Sequence, residues 1–129
     1  MKGNKNKSLG PERMLQERLL DYAVRIIGVC QALPRTEVGD HTRKQMLRSG
    51  TSAGANYSEA NGAESLDDFI HKMGITLKEL RESYFWLRVV EKARLLPPRR
   101  LKDILRESDE LIAMTVSSIV TARKRRKAR

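Results

Sequence analysis

The sequence predicts an all-α protein folded as an up-down-up-down four-helix bundle with flexible basic termini. Gly, Pro and aromatic residues are few among the 129 residues, whereas Leu, Ile, Ala, Glu, Lys and Arg are abundant, which is typical of helical proteins. Apolar residues recur at spacings of three and four along four segments, each of roughly 22 residues or ~33 Å. Four helices of similar length with short connections pack as an up-down bundle around one core.

The first predicted helix runs from about Pro11 to Leu33. Proline fits the first helical position, and Pro34 ends the helix because a residue before proline avoids helical backbone angles. The second predicted helix runs from about Asp40 to Ala63, with Asp40 or Thr42 as its N-cap.

The third predicted helix begins after Ser65, a good N-cap, and stops before Pro97. Two acids, Asp67 and Asp68, lie in its first turn. Around residues 84–90 it is apolar on nearly every side. One bundle core cannot cover such a helix, so we expect a subunit interface there. The fourth predicted helix runs from about Arg99 to Ala122. The predicted organisation is therefore a basic N-terminal tail over residues 1–10, a bundle over 11–121 and a basic C-terminal tail over 122–129.

Small residues interrupt the second helix in a regular pattern. Gly50 and Gly54 disfavour a helix interior, yet with Ala53 they lie at helical spacing among apolar positions. Small side chains at such spacing allow a neighbouring backbone to approach closely. We therefore expect this helix to be an inner helix that is held by tertiary packing.

Positive charge is concentrated at the two ends of the chain. The formal net charge is +10, and residues 11–121 are close to neutral. Dense basic runs displace counterions from phosphates, so the ends predict nucleic-acid binding, although such a tail is also typical of a merely solubilising segment. A weaker basic patch occurs at Arg99, Arg100 and Lys102. The end residues concerned are Lys2, Lys5, Lys7, Arg123, Lys124, Arg125, Arg126, Lys127 and Arg129.

The residue inventory argues against an enzyme. The single cysteine, Cys30, lies on the apolar stripe of the first helix, where a buried inert thiol is expected. Asp68 and His71 cannot by themselves build a di-iron site, and no Gly-rich phosphate loop occurs. We expect no catalytic residue, no cofactor and no metal.

With one cysteine, no signal-peptide pattern and no apolar run of ~18 residues, the sequence predicts a cytoplasmic protein without a membrane partner.

Several acids, bases and aromatic residues on the second and third helices are expected to have structural roles. Tyr84 and Trp86 lie in an apolar helical setting and are expected in the core or a subunit interface, with stacking on bases as the less favoured alternative. Glu59, Glu79 and Glu82 are by residue type usually solvated.

Short motifs spread over roughly residues 15–96 follow the pattern of a known family. They include Tyr22-Ala23, Leu33-Pro34, Leu47-Arg48-Ser49, Gly54-Ala55-Asn56-Tyr57, Asp68-Phe69-Ile70, Leu77-Lys78-Glu79 and Trp86-Leu87. Through these residues the chain resembles the four-helix bundle proteins encoded in intervening sequences of large-subunit ribosomal RNA genes, a superfamily that includes accessory variability proteins of diversity-generating retroelements. The resemblance implies structural ion pairs of the three glutamates with partners such as Arg25, Arg48 or Lys78. It also implies a homopentamer and nucleic-acid association rather than catalysis.

Three functions follow as hypotheses. The first is an oligomer that binds structured RNA or an RNA–DNA complex through its basic tails, where linked copies would add avidity. The second is a retroelement accessory protein whose partner is a reverse transcriptase. The third is a structural oligomer without a nucleic-acid role. A neighbouring reverse transcriptase gene would favour the second, and a position inside a ribosomal RNA gene the first.

Overall fold

The computed structural model describes residues 10–128 and contains four long α-helices in that part of the chain. They are α1 (Pro11–Ala32), α2 (Glu37–Asn61), α3 (Leu66–Lys92) and α4 (Lys102–Ala128), with a short 3-10 helix at Pro98–Arg100 before α4. Each helix packs mainly against its neighbours in the chain, and α4 closes the bundle against α1 more loosely. The predicted all-α four-helix bundle is confirmed.

The second helix begins earlier than the predicted Asp40. Thr36 is its N-cap, and its hydroxyl accepts a hydrogen bond from the Gly39 backbone N–H at 3.0 Å. The first turn of α2 lies so close to the end of α1 that a Cβ at Gly39 would lie 1.9 Å from the Pro34 carbonyl oxygen. Threonine capping and a glycine at the close approach therefore set this boundary.

Arg43 of α2 ties down the carboxyl end of α1. Its guanidinium donates to the carbonyl oxygens of Cys30 and Leu33, both at 2.9 Å, and of Pro34 at 3.2 Å. Asp40, one turn earlier, pairs with the same guanidinium at 2.5 Å. Helix ends leave their last carbonyls without intrahelical donors, so Arg43 supplies the donors that fix the α1–α2 connection.

The apolar stripes predicted on the four helices meet in one core. Its fully buried side chains include Leu19, Ile26, Met46, Met73, Leu80, Leu87, Leu101 and Leu111. Across the looser α1–α4 contact, Arg18 pairs with Glu107 at 2.6 Å and Glu110 at 3.3 Å. This ion-pair group fixes the fourth side of the bundle, where apolar packing is thinnest.

The third helix stops before Pro97 as predicted, whereas the fourth helix begins later than the predicted Arg99, at Lys102. The third helix ends at Lys92, its C-cap is Ala93, and Arg94 takes a left-handed backbone angle with φ of 55°. The chain then passes through Pro97 into the 3-10 helix. The left-handed backbone of Arg94 therefore turns the chain out of α3 before the prolines, and Pro98 takes the first position of the 3-10 helix.

Candidate nucleic-acid interface

The last two turns of α4 carry a dense group of positive charges. Arg123, Lys124, Arg125 and Lys127 are exposed and take part in no ion pair within residues 10–128, whereas Arg126 pairs with Asp67 at 3.2 Å. We call these five residues the C-terminal basic cluster. The cluster can meet phosphates as a preformed group, because its backbone is helical.

The fourth helix extends beyond its predicted end at Ala122, because the basic residues of the predicted C-terminal tail continue α4 to Ala128. Lys and Arg are good helix formers, and no Gly or Pro interrupts the run. Cations in the last turns also complement the negative end of the helix dipole. The other predicted tail residues, Lys2, Lys5, Lys7 and Arg129, lie outside the described residues.

The second predicted basic patch lies at the opposite end of the bundle. Arg99 and Arg100 belong to the 3-10 helix and Lys102 opens α4, all three exposed. Lys102 and Lys127 are 25 residues apart on one helix, or about 38 Å. Within one protomer the predicted nucleic-acid residues thus form two separate groups rather than one surface.

Arg48 confirms the predicted ion pairing between the second and third helices. Its guanidinium contacts Glu79 at 3.2 Å and also pairs with Glu82, so one α2 cation holds two α3 carboxylates. Arg25 and Glu59, for which similar pairing was expected, are both exposed and join no ion pair within the described part of the chain, so a role for them at a subunit interface stays a prediction. Arg25 lies off the face of α1 that meets other helices.

The small residues of α2 have different roles. A Cβ at Gly50 would lie 2.7 and 2.8 Å from the two γ carbons of Ile26 on α1, so glycine is required for this approach. At Gly54 a Cβ would meet Leu19 at 3.4 Å, an ordinary contact. Ala53 is fully buried. The expected close approach is therefore found at Gly50, while Gly54 has room for a methyl group.

The aromatic segment of α3 is less exposed than its sequence suggests. Tyr84 and Trp86 are half-buried, and Trp86 packs edge-to-face on His41 at 5.6 Å and on Phe85 at 5.1 Å between ring centroids. Of the described side chains in residues 84–90, Phe85 is the large apolar one that stays mostly exposed. The bundle thus covers most of the apolar surface of this segment and leaves Phe85 exposed. An interface role for Tyr84 and Trp86 stays a prediction.

A buried group of three hydroxyls was missing from the sequence predictions. Tyr22 on α1 shares hydrogen bonds with Ser83 on α3 at 2.7 Å and Ser108 on α4 at 2.8 Å, and all three side chains are fully buried. Burial raises the pKa of the Tyr22 phenol, and the bonds to Ser108 and Ser83 oppose the rise. The group connects three helices and does not reach the surface, which makes it a structural feature.

An open cleft of about 1060 Å³ lies at the end of the bundle where α1 begins and α4 ends. Its lining includes apolar Leu15, Phe69 and Met114, hydroxyls of Ser117 and Thr121, and the charged Glu64 and Arg125. No group of three His, Cys, Asp or Glu side chains within residues 10–128 is arranged to hold a metal ion. In the same part of the chain, every helix is too short or too polar to cross a membrane.

Comparison with known proteins shows which family the chain belongs to and how much of the bundle the match covers. A family model described as 23S rRNA-intervening sequence protein matches residues 14–117. The chain belongs to this family. The matched region includes the beginning of α4, beyond the residues that carried the resemblance in the sequence, and excludes the C-terminal basic cluster.

One solved structure supports both the family and the fold of this 23S rRNA-intervening sequence protein. It is the crystal structure of a protein of unknown function from the S23 ribosomal protein family of Bacteroides thetaiotaomicron, 34% identical in sequence. The match covers 84% of this chain and 96% of that chain, with a TM-score of 0.78. A search of curated proteins found no match.

Proposed function

We propose that this intervening-sequence protein is a non-enzymatic oligomer that associates with nucleic acid, chiefly RNA, through its basic surfaces. The C-terminal basic cluster carries the proposal. Four of its five cations have no carboxylate partner among the described residues. Uncompensated cations at this density bind phosphates by releasing counterions.

The chemistry of the cluster favours recognition of the backbone over recognition of sequence. Arg and Lys side chains that project from an exposed helix end contact phosphates, which fix position and carry no direct sequence information. Arg99, Arg100 and Lys102 add a second group at the other end of the bundle. A single copy would bind weakly, and several linked copies would bind more tightly by avidity.

Self-association is supported by an exposed apolar surface on α1. Leu20 and Val24 are 57% and 61% exposed, and Ile27 continues the same side of the helix one turn later. Leu47 on the adjoining helix α2 is also exposed. We call Leu20, Val24 and Ile27 the α1 face. Exposed apolar side chains that share one side of a helix mark interaction sites.

A homopentamer, the assembly that the family resemblance implies, needs head-to-tail contacts in which the α1 face meets a different surface of the next copy. Val24→Lys on the α1 face should lower the mass measured by light scattering. Val120→Lys, at an exposed position of α4, is the matched control and should leave the mass unchanged. A parent mass of one 14.8 kDa chain at micromolar concentration would overturn the assembly proposal.

Crosslinking of the protein to RNA in its source cell, followed by sequencing of the bound RNA, tests the function itself. We expect enrichment of structured RNA that disappears when the cluster residues Arg123, Lys124, Arg125 and Lys127 are changed to Gln. Equal recovery of RNA with the parent and this variant would contradict a role for the cluster. No recovery above background from either protein would contradict the proposed function.

A further inference from the structure

The outer side of α3 carries a row of exposed side chains without an acid. Its residues lie at spacings of three, four or seven, so they share one side of the helix. We call the row, which consists of His71, Lys78, Arg81, Phe85, Arg88 and Lys92, the α3 row; all six side chains are exposed. The ends of the row, His71 and Lys92, are 21 residues apart, or about 32 Å.

Most cations of the α3 row have no partner in the described part of the chain. Lys78, Arg81 and Lys92 form no ion pair there, and Arg88 pairs with Glu91 on its own helix at 2.8 Å. An exposed i,i+3 pair is weak and exchanges readily with another anion. The row therefore presents positive charge along the body of the bundle, between the two basic ends already described.

Phe85 places an aromatic ring in the middle of these cations. It is 57% exposed, and Trp86 packs against it edge-to-face at 5.1 Å with planes inclined by 81°. Phe85, Arg88, Val89 and Lys92 line one shallow depression on the helix surface. An exposed ring that a second aromatic side chain supports and that cations flank matches the way proteins bind unpaired bases.

We propose that the α3 row is a track for single-stranded nucleic acid, in which Phe85 stacks on a base and Lys78, Arg81 and Lys92 contact phosphates on either side. The proposal rests on the proposed function and deepens it, because it assigns binding residues on the folded body, away from the C-terminal basic cluster. A duplex fits less well, because its bases are stacked on one another and cannot reach Phe85.

Phe85 variants test the stacking step. The probe is an oligouridine of about 12 nucleotides, a length within known single-strand site sizes. Phe85→Leu keeps an apolar side chain without an aromatic face and should weaken binding about tenfold, whereas Phe85→Trp should keep or improve it. Equal affinity of parent and Phe85→Leu would overturn the proposal. A change in oligomeric mass with Phe85→Leu at unchanged affinity would instead assign Phe85 to a subunit contact and would also overturn it.

Charge variants test the phosphate step. The double variant Lys78→Gln with Arg81→Gln should flatten the plot of log affinity against log salt. The magnitude of its slope should fall by about 1.4, since each phosphate on a single strand contributes about 0.7. The matched control is Lys44→Gln with Arg25→Gln, which removes the same two charges from exposed positions on α2 and α1; its slope should change less.

The same titrations separate failure of the track from failure of the proposed function. If the parent binds oligouridine and the row variants bind with the parent affinity and salt slope, the track is wrong while nucleic-acid association stands. If the parent binds a duplex RNA of equal length more tightly than oligouridine, and Phe85→Leu does not alter either affinity, the track is likewise wrong. If the parent binds neither probe, both proposals fail.

Discussion

Arg48 on α2 and Glu79 on α3 form an ion pair of 3.2 Å in which the carboxylate is only 10% exposed while the arginine is half exposed. The same guanidinium also pairs with Glu82. A nearly buried carboxylate is costly without its partner, and a pair of this kind can fix how two helices align. Arg48 therefore sets the alignment of α2 and α3 from the outside of the bundle.

Removing Arg48 should destabilise the bundle mainly through the unpaired Glu79. In a double-mutant cycle, Arg48→Met and Glu79→Gln should together cost less free energy of unfolding than the sum of their single costs. The exposed pair Arg88–Glu91 within α3 is the control and should show much weaker coupling. Additive effects of the Arg48 and Glu79 variants would contradict the proposed alignment role.

The hydroxyl group around Tyr22 should contribute modestly to stability. Ser83 and Ser108 also contact their own helix carbonyls, at Leu80 and Ile104, so Tyr22→Phe leaves no buried donor without an acceptor. We expect a loss of about 1 kcal/mol in the free energy of unfolding. Chemical denaturation at neutral pH measures this value, and an unchanged or higher stability would contradict it.

Tyr22 should also make the fold sensitive to alkali. Its pKa is raised by burial, so the folded state keeps the phenol proton at a pH where the unfolded state has released it. Stability should therefore be unaffected below a pH of about 10 and should fall as pH rises through the folded pKa. The stability of the Tyr22→Phe variant should fall less steeply over the same pH range.

The sequence indicates that Tyr22, Ser83 and Ser108 are buried, but it does not show that their hydroxyls bond to one another. Tyr22 lies on the apolar stripe of α1, which predicts its burial. Ser83 and Ser108 occupy positions in their helices that the spacing of Leu80, Leu87 and Leu111 assigns to the core. A serine at a core position indicates a buried hydrogen bond. The partners become evident only once three helices are packed together.

Gly50 should tolerate a methyl group poorly. Gly50→Ala would place its Cβ under 3.0 Å from both γ carbons of buried Ile26, and we expect a net loss of about 1–2 kcal/mol even after the gain in helix propensity. Gly74→Ala is the control, because nothing lies within 4 Å of a Cβ there; it should raise stability by up to about 1 kcal/mol. Equal thermal shifts in the two variants would contradict the close approach at Gly50.

Cys30 should react slowly with thiol reagents in the folded protein. The side chain is buried, and burial raises the pKa of its thiol while Arg43 opposes the rise. The reactive thiolate is thus scarcer at neutral pH than in an ordinary cysteine. Labelling should accelerate strongly in denaturant, with a short unstructured cysteine peptide as the reference. Reaction of the native protein at the peptide rate would show that the thiol is accessible.

The helix boundaries and the basic end show where the sequence was ambiguous. Repeated apolar spacing defined the four helices, but the start of α2 depended on Thr36 and on the contact of Gly39 with Pro34, which periodicity does not reveal. A run of like charges is usually solvated and irregular. In α4 the same residues have high helix propensity and extend a helix that packing has already formed, so the run continues as helix to Ala128.

The salt dependence of RNA binding measures how much the C-terminal basic cluster contributes to phosphate contacts. One structured RNA is titrated at several salt concentrations with the parent protein and with a variant in which Arg123, Lys124, Arg125 and Lys127 are changed to Gln. Circular dichroism verifies that both proteins are folded. We expect a weaker affinity and a flatter slope for the variant, by about 0.7 to 0.9 in the slope for each phosphate that the variant no longer neutralises. Equal affinities and equal slopes would contradict the claim that the end of α4 binds nucleic acid.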